Sequence, residues 1–305
     1  MVRAYAVAAQ VVKRSGWPCP CAALLLLVAR MGTGLPKRLR TSVATAAALL
    51  ACAGVARAGP RVFSLDQCAD QYVLALTPRA DIAGLSFRAD DADSYLRRAA
   101  AGLPLRRSST ESVLASRADV VVRYWGGDEL MTRRLRERGL KVVKIEDASD
   151  FTGVRANVRH VAAALGRPAE GEALVAGMDR ELAAARGAWS GQRVLYLTPG
   201  GFTAGPDTLV GAMIAGAGLT DAAGPGYAPV PLERMAIDPP SALVLGFFDP
   251  VSLGTQRWSI GRRAIVRRIA AERTLATLPA SILGCPAWFA ADGPRELAAA
   301  RKLHP

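Results

Sequence analysis

Histidine is almost missing from this chain: His160 and His304 are the only two in 305 residues. A zinc or manganese receptor assembled from several imidazoles lacks its material here. Cysteine is thin where it would matter. Cys19, Cys21 and Cys52 fall within the first 58 residues, which leaves Cys68 and Cys285. A disulfide between those two needs Cα atoms at bonding distance, which sequence cannot place; the expectation is two separate thiols. Catalytic motifs are lacking too. There is no G-x-S-x-G elbow, no Walker loop and no H-E-x-x-H. Gly211, Gly216 and Gly218 lack the strand–turn–helix setting of a dinucleotide fingerprint, and no histidine falls in a cleft loop to activate a serine. An enzyme would have to work from carboxylates alone. A glycosidase reading would draw on Asp128, Glu129, Asp207 and Asp292.

Acidic residues are absent from one stretch. Residues 1–58 hold eight Lys and Arg and no Asp or Glu; 39 basic residues less these eight leaves 31, against 26 acidic. The net charge of +13 therefore shrinks to a scattered +5 beyond residue 58. A nucleic-acid partner would want a basic stripe with interleaved aromatics, and none is present. Arg133-Arg134-Leu135-Arg136, and Arg262-Arg263 with Arg267-Arg268, read as solvated helix faces.

Long hydrophobic runs are lacking as well. Ser42 to Val55 is too short to span a bilayer comfortably, and no later stretch qualifies. It follows Lys37, Arg38 and Arg40 and precedes Ala56-Arg57-Ala58, the parts of a secretory signal. The expected leader is 1–58, with 1–30 a gene-model extension ahead of Met31 and 31–58 the signal peptide. The mature chain then starts near Gly59. Leu49-Leu50-Ala51-Cys52 resembles a lipobox and offers a rival fate, lipid anchoring at Cys52.

What is present is one construction used twice. Glu111-Ser112-Val113-Leu114-Ala115 leads through Arg117-Ala118-Asp119 into Val120-Val121-Val122. Glu233-Arg234-Met235-Ala236-Ile237 leads through Pro239-Pro240-Ser241 into Ala242-Leu243-Val244-Leu245. A short helix opened by a carboxylate, then a turn, then a buried strand, is one α/β unit. The rest of the pattern agrees. Strands are expected at 61–64, 82–85, 120–122 and 142–145, and helices at 67–76 behind an Asp66 cap, from a Thr110 cap, and at 128–138. Strands alternating with helices imply a parallel sheet covered on both faces. A helix opened by Thr152 or Gly153 runs to Leu165, and a second from Pro168 to Trp189 forms a stiff connector of about 30 Å. The second lobe follows with strands at 194–196 and 243–247, a helix near 265–273, a strand-like Ile282-Leu283 and a closing helix. The fold class expected is α/β: two Rossmann-like lobes bridged by a single long rigid helix, with lobes at 59–152 and 191–305 and connecting helices at 153–190.

Aromatic residues make up only 6% of the chain, yet rings recur beyond strand ends. Tyr124-Trp125-Gly126-Gly127 follows Val120–Val122, Phe202 sits among glycines after Val194–Tyr196, and Trp288-Phe289 follows Ile282-Leu283. Open α/β sheets bind ligands at such ends. Ring-walled clefts suit broad, flat, partly apolar ligands.

These motifs, over nearly the whole mature sequence from Arg61-Val62-Phe63-Ser64-Leu65 onward, resemble the periplasmic substrate-binding proteins of ABC importers for vitamin B12, ferric siderophores and haem. The vitamin B12 branch is nearest, echoed by Tyr124-Trp125-Gly126-Gly127, Phe202-Thr203-Ala204-Gly205 and Trp288-Phe289 with Pro294-Arg295. The resemblance implies a periplasmic, monomeric, non-enzymatic receptor with no resident cofactor. Its ligand is a cobalt corrinoid by preference, or a ferric siderophore or haem. Trp125, Phe202 and Trp288 become wall residues, with Tyr124, Phe87, Tyr227 and Arg295 as further contacts. Glu111 and Glu233 become docking carboxylates for the two halves of a permease dimer whose ATPase subunits do the work. The chain departs from the pattern at Cys68 and at Ser86-Phe87-Arg88-Ala89-Asp90, where Arg88 would suit an anionic chelate. A receptor feeding a membrane sensor is the remaining alternative.

Overall fold

The structure is a computed structural model that describes residues 59–248 and 264–302. The leader with its Cys52, Arg262-Arg263 and His304 lie outside the described residues.

The first lobe is built on short strands whose residues are apolar on both faces. β1 (Val62–Ser64) and β4 (Val120–Arg123) lie side by side, flanked by β2 (Ile82–Ser86), β3 (Leu105–Arg106) and β5 (Lys141–Lys144). Their order is β3-β2-β1-β4-β5, all parallel. A parallel strand must be covered on both sides, which is why Val120, Val121 and Val122 alternate direction without alternating polarity. Helices α1 (Gln67–Leu76), α2 (Thr110–Ala115) and α3 (Glu129–Glu137) make the connections. Asp66 caps α1 and Asp128 caps α3. The α2 cap is Ser109, whose side chain accepts from the Ser112 amide; Thr110, the expected cap, is the first helical residue.

The second lobe repeats this plan. β6 (Arg193–Leu197) and β10 (Leu243–Gly246) are its centre, with β8 (Thr220–Asp221) and β11 (Thr274–Leu278) outside them, in the order β11-β10-β6-β8 and parallel throughout. Matched by position, β1, β2, β4 and β5 correspond to β6, β8, β10 and β11. A two-stranded antiparallel ribbon, β7 (Phe202–Ala204) with β9 (Tyr227–Pro229), is added beside β6. Helices α6 (Leu209–Gly216), α7 (Leu232–Ile237) and α8 (Ala264–Arg273) complete this part. The duplicated glutamate units are thus α2–β4 and α7–β10, at equivalent places in the two sheets.

Between the sheets stand α4 (Phe151–Ala164) and α5 (Pro168–Ala185). Asp150 caps α4 by accepting from the Gly153 amide, two or three residues before the expected Thr152 or Gly153. The connector α5 spans about 27 Å and ends four residues short of the expected Trp189. Arg186 turns extended and Gly187 takes a φ of 73°, which breaks the helical ladder. Trp189 folds inward instead, its Nε1 donating to the Leu297 carbonyl at 2.9 Å.

The core follows the same symmetry. Phe63, Leu65, Val113, Val121, Met131 and Leu135 fill the space between the first sheet and α2–α3. Leu197, Met235, Leu243, Leu245, Val266 and Ile269 do so between the second sheet and α7–α8. The inner faces of both sheets share a single cluster, running from Val62 and Tyr72 through Val158 and Met178 to Tyr196, Met213 and Leu297. Ile282 and Leu283 belong to a short helix, α9 (Ala280–Leu283), rather than to a strand. Pro279 sets its start, and the strand ended one residue earlier at Leu278. The chain then passes through a 3-10 turn (Trp288–Ala291) into α10 (Asp292–Ala300), and both pack on α5.

Candidate functional site

Every strand of both parallel sheets runs the same way, so the loops after β1, β2, β4 and β5 gather at one end of their lobe. The chain leaves β4 through Tyr124-Trp125-Gly126-Gly127. Trp125 is 53% exposed. Gly126 lies so close to the preceding strand that a Cβ there would meet the Leu65 carbonyl oxygen at 2.5 Å; only glycine fits. Phe87, just past β2, is 60% exposed. Tyr124 is half-buried and its hydroxyl donates to Asp147 Oδ1 at 2.5 Å, beyond the end of β5.

In the second lobe the ribbon presents the rings. Phe202 pairs with Pro229 and Ala204 with Tyr227, so Phe202 and Tyr227 project from one face while Thr203 and Ala228 project from the other. Both rings are exposed, at 50% and 69%. The opposite face borders a cavity of ≈ 750 Å³ lined by Thr203, Ala228, Met235 and Arg273 among others. None of the sequence-predicted rings lines that cavity.

Tyr72, Tyr124, Tyr196 and Tyr227 have phenols raised above the ordinary range. The Tyr124 phenol is pushed up by burial first, then by Asp147, then by the Tyr227 phenol from the other lobe. Tyr227 is raised by burial and by Asp147, against a lowering bond to Thr208. Burial also raises Tyr196 on β6, and Tyr227 adds to it. Tyr72 of α1 is raised by burial and then by Tyr124. Burial is the leading cause for all four phenols, and the influence of Tyr227 on Tyr124 joins residues of different lobes. Asp147, Tyr72 and Tyr196 were not among the residues expected from sequence. Their only signal was position, within or after strands and on a helix whose inner face could not be told from its outer one.

Trp288 packs beside Tyr72 from the C-terminal segment. It is half-buried, edge-on to Tyr72 at 5.5 Å between ring centroids. The segment is fastened to the first lobe. Tyr72 donates to the Pro286 carbonyl at 2.6 Å, and Tyr95 stacks on Phe289 at 4.2 Å. Cys285 is disulfide-bonded to Cys68 of α1, 217 residues earlier. The expectation of two separate thiols is overturned: folding brings the last loop back onto the first helix, with Cα atoms 5.4 Å apart.

Arg295 has other partners than a ligand. It pairs with Asp292 at 2.9 Å, Glu296 at 3.2 Å and Glu181 of α5 at 3.6 Å. Arg88 is likewise held by Asp91 and Asp93 in its own loop. The carboxylates weighed for glycosidase chemistry have structural partners too. Asp128 caps α3, Glu129 pairs with Arg136, Asp207 accepts from the Gly226 amide, and Asp292 accepts from Tyr95. Among the described residues, no group of three or more His, Cys, Asp and Glu side chains could hold a metal ion. Among them, too, no helix is long and apolar enough to cross a membrane.

Glu111 and Glu233 are both exposed, each in the first turn of its helix. The Glu111 carboxyl sits below the usual range because its own backbone amide, then Ser109, bond it, with Arg134 adding a little. A family model described as periplasmic binding protein matches residues 90–281. The chain belongs to the periplasmic binding protein family. Curated proteins gave no match. Among solved structures, the chain is similar to the periplasmic heme-binding protein RhuT from Roseiflexus sp. RS-1, at 23% identity and TM-score 0.61, covering 80% of this chain and 98% of that one. It is also similar to the heme-binding protein BhuT in complex with two hemes (26%, TM-score 0.58, 79% and 99% covered). The vitamin B12-binding protein BtuF of Vibrio cholerae shows the same fold at 15% identity and TM-score 0.59, with 81% and 98% covered. This periplasmic binding protein thus shares its two-lobe α/β architecture with heme-binding and vitamin B12-binding proteins.

Proposed function

We propose that this periplasmic binding protein captures a flat metal chelate between its lobes and delivers it to an ABC permease. The observation that carries the reading is the set of solvent-facing rings Trp125, Phe202 and Tyr227, contributed by both lobes. Exposed rings of this size cost solvation unless a ligand face covers them, and stacking adds to area burial.

The phenols refine the ligand class. Sequence favoured a corrinoid over haem or a ferric siderophore. A phenol oxygen is a recognised ligand of haem iron, and Tyr124 and Tyr227 supply phenols to the proposed site, which moves the preference to a ferric chelate, haem first. The heme-binding proteins named above agree with this direction. The permease is engaged through Glu111 and Glu233, and ATP is hydrolysed by other subunits. The receptor acts as a monomer and makes no bonds of its own.

Titration with haemin, cyanocobalamin and a ferric trihydroxamate, followed by visible absorbance, tests the reading. Haemin should bind, with a shifted spectrum that Tyr227→Phe or Tyr124→Phe alters. Trp125→Ala should weaken haemin about tenfold, in line with ~1–2 kcal/mol for a lost stacking ring. Failure of all three ligands to bind overturns the proposal.

A further inference from the structure

Asp66 does more than cap a helix. Its Oδ1 accepts from the Ala69 amide at 2.9 Å, which opens α1. Its Oδ2 accepts from two further amides, Tyr124 at 2.7 Å and Gly126 at 2.9 Å. Those two amides flank Trp125. The carboxylate is 1% exposed, so no water competes for it, and bonds to a buried charge are the strong kind. The β4 loop is also wedged from the other side, since Gly126 leaves no room for a Cβ against Leu65 and Asp66. Leu65 itself is held by the Val122 carbonyl through its amide and by Ser108 through its carbonyl. A ring half in solvent is thereby mounted on a backbone clamped at both neighbours. An exposed tryptophan on a free loop would lose entropy on binding; here that loss is taken at folding.

We infer that Asp66 is the positioning residue of the Tyr124–Trp125 wall. The inference rests on the reading of Trp125 as part of the ligand site. A serine isolates this role, because Ser is as good an N-cap as Asp but its one hydroxyl is too short to reach the β4 loop as well. In Asp66→Ser, amide hydrogen exchange should stay slow at Ala69 and become at least about tenfold faster at Tyr124 and Gly126, the consequence of removing bonds to an ionised acceptor. Haemin affinity should fall about tenfold. Trp189→Phe, which removes a buried bond to Leu297 far along the chain, serves as a control of lowered stability and should leave haemin affinity unchanged.

Unchanged protection at Tyr124 and Gly126 in Asp66→Ser overturns the inference, with or without ligand. So does wild-type haemin affinity in Asp66→Ser when Trp125→Ala has lost it. If Trp125→Ala binds haemin as the wild type does, the site reading fails instead, and the exchange rates still decide what Asp66 holds in place.

Discussion

Asp70 is a carboxylate with no ion-pair partner among the described residues. It is fully buried on α1 and takes bonds from the Ser64 hydroxyl, the Ser86 hydroxyl at 2.6 Å and the Ser86 amide at 2.8 Å. Burial pushes its pKa up to about 7, more than the serine bonds lower it, and the charge of Asp66 adds to the rise. The folded state therefore holds a proton that the unfolded state releases near pH 3.8. That contribution is complete below the unfolded value and is lost as pH rises through about 7. Thermal unfolding should show a midpoint that falls between pH 5 and pH 7.5, and Asp70→Asn should flatten this slope; an unchanged slope would mean other groups set it. At this scale sequence exposed the rings and missed what they touch. Trp125, Phe202 and Tyr227 stand out as aromatic among glycines, a local property. Asp147 and Asp70 look like any other aspartate until burial and a phenol neighbour distinguish them.

Helices and strands were largely readable, because caps and periodicity are local. Asp66 and Asp128 stand where α1 and α3 begin, and the glutamate-led units fall at matching places in two sheets. Where the reading slipped, a neighbouring residue had a competing preference. Gly187 stopped α5 before Trp189, and Pro279 turned Ile282-Leu283 into helix. The element that sequence could not place is the C-terminal segment. Its disulfide closes a loop of 217 residues, for which chain entropy alone gives stabilisation of up to about 5 kcal/mol. Cys68→Ser with Cys285→Ser should lower the unfolding midpoint by several degrees while keeping the fold, since the Tyr72–Pro286 bond and the Tyr95–Phe289 stack remain. Calorimetry of the double variant, or of the wild type with and without reductant, measures this. An unshifted midpoint would show that those contacts suffice.

Across the whole molecule, the inner faces of both sheets share one cluster. Together with α5 and the disulfide, this joins both lobes into one core, with Glu111 exposed on one lobe and Glu233 on the other. Glu111→Ala with Glu233→Ala should leave haemin affinity at the wild-type value and reduce transport in a reconstituted permease to background. Wild-type uptake by the double variant would remove the docking role. Each carboxylate is exposed in the first turn of its helix, where its help to the helix start is small, so the double variant stays folded and its effect on transport is readable.

Short-range residue patterns were enough to reveal the α/β alternation, the doubled glutamate units and the rings at strand ends, because each depends on residues within one or two turns of each other. The three-dimensional fold was needed to bring Cys68 to Cys285, Tyr124 to Asp147, and Arg295 and Arg88 to their carboxylates. Those pairings join residues far apart in the chain or depend on which way a side chain points, and local propensity carries no record of either.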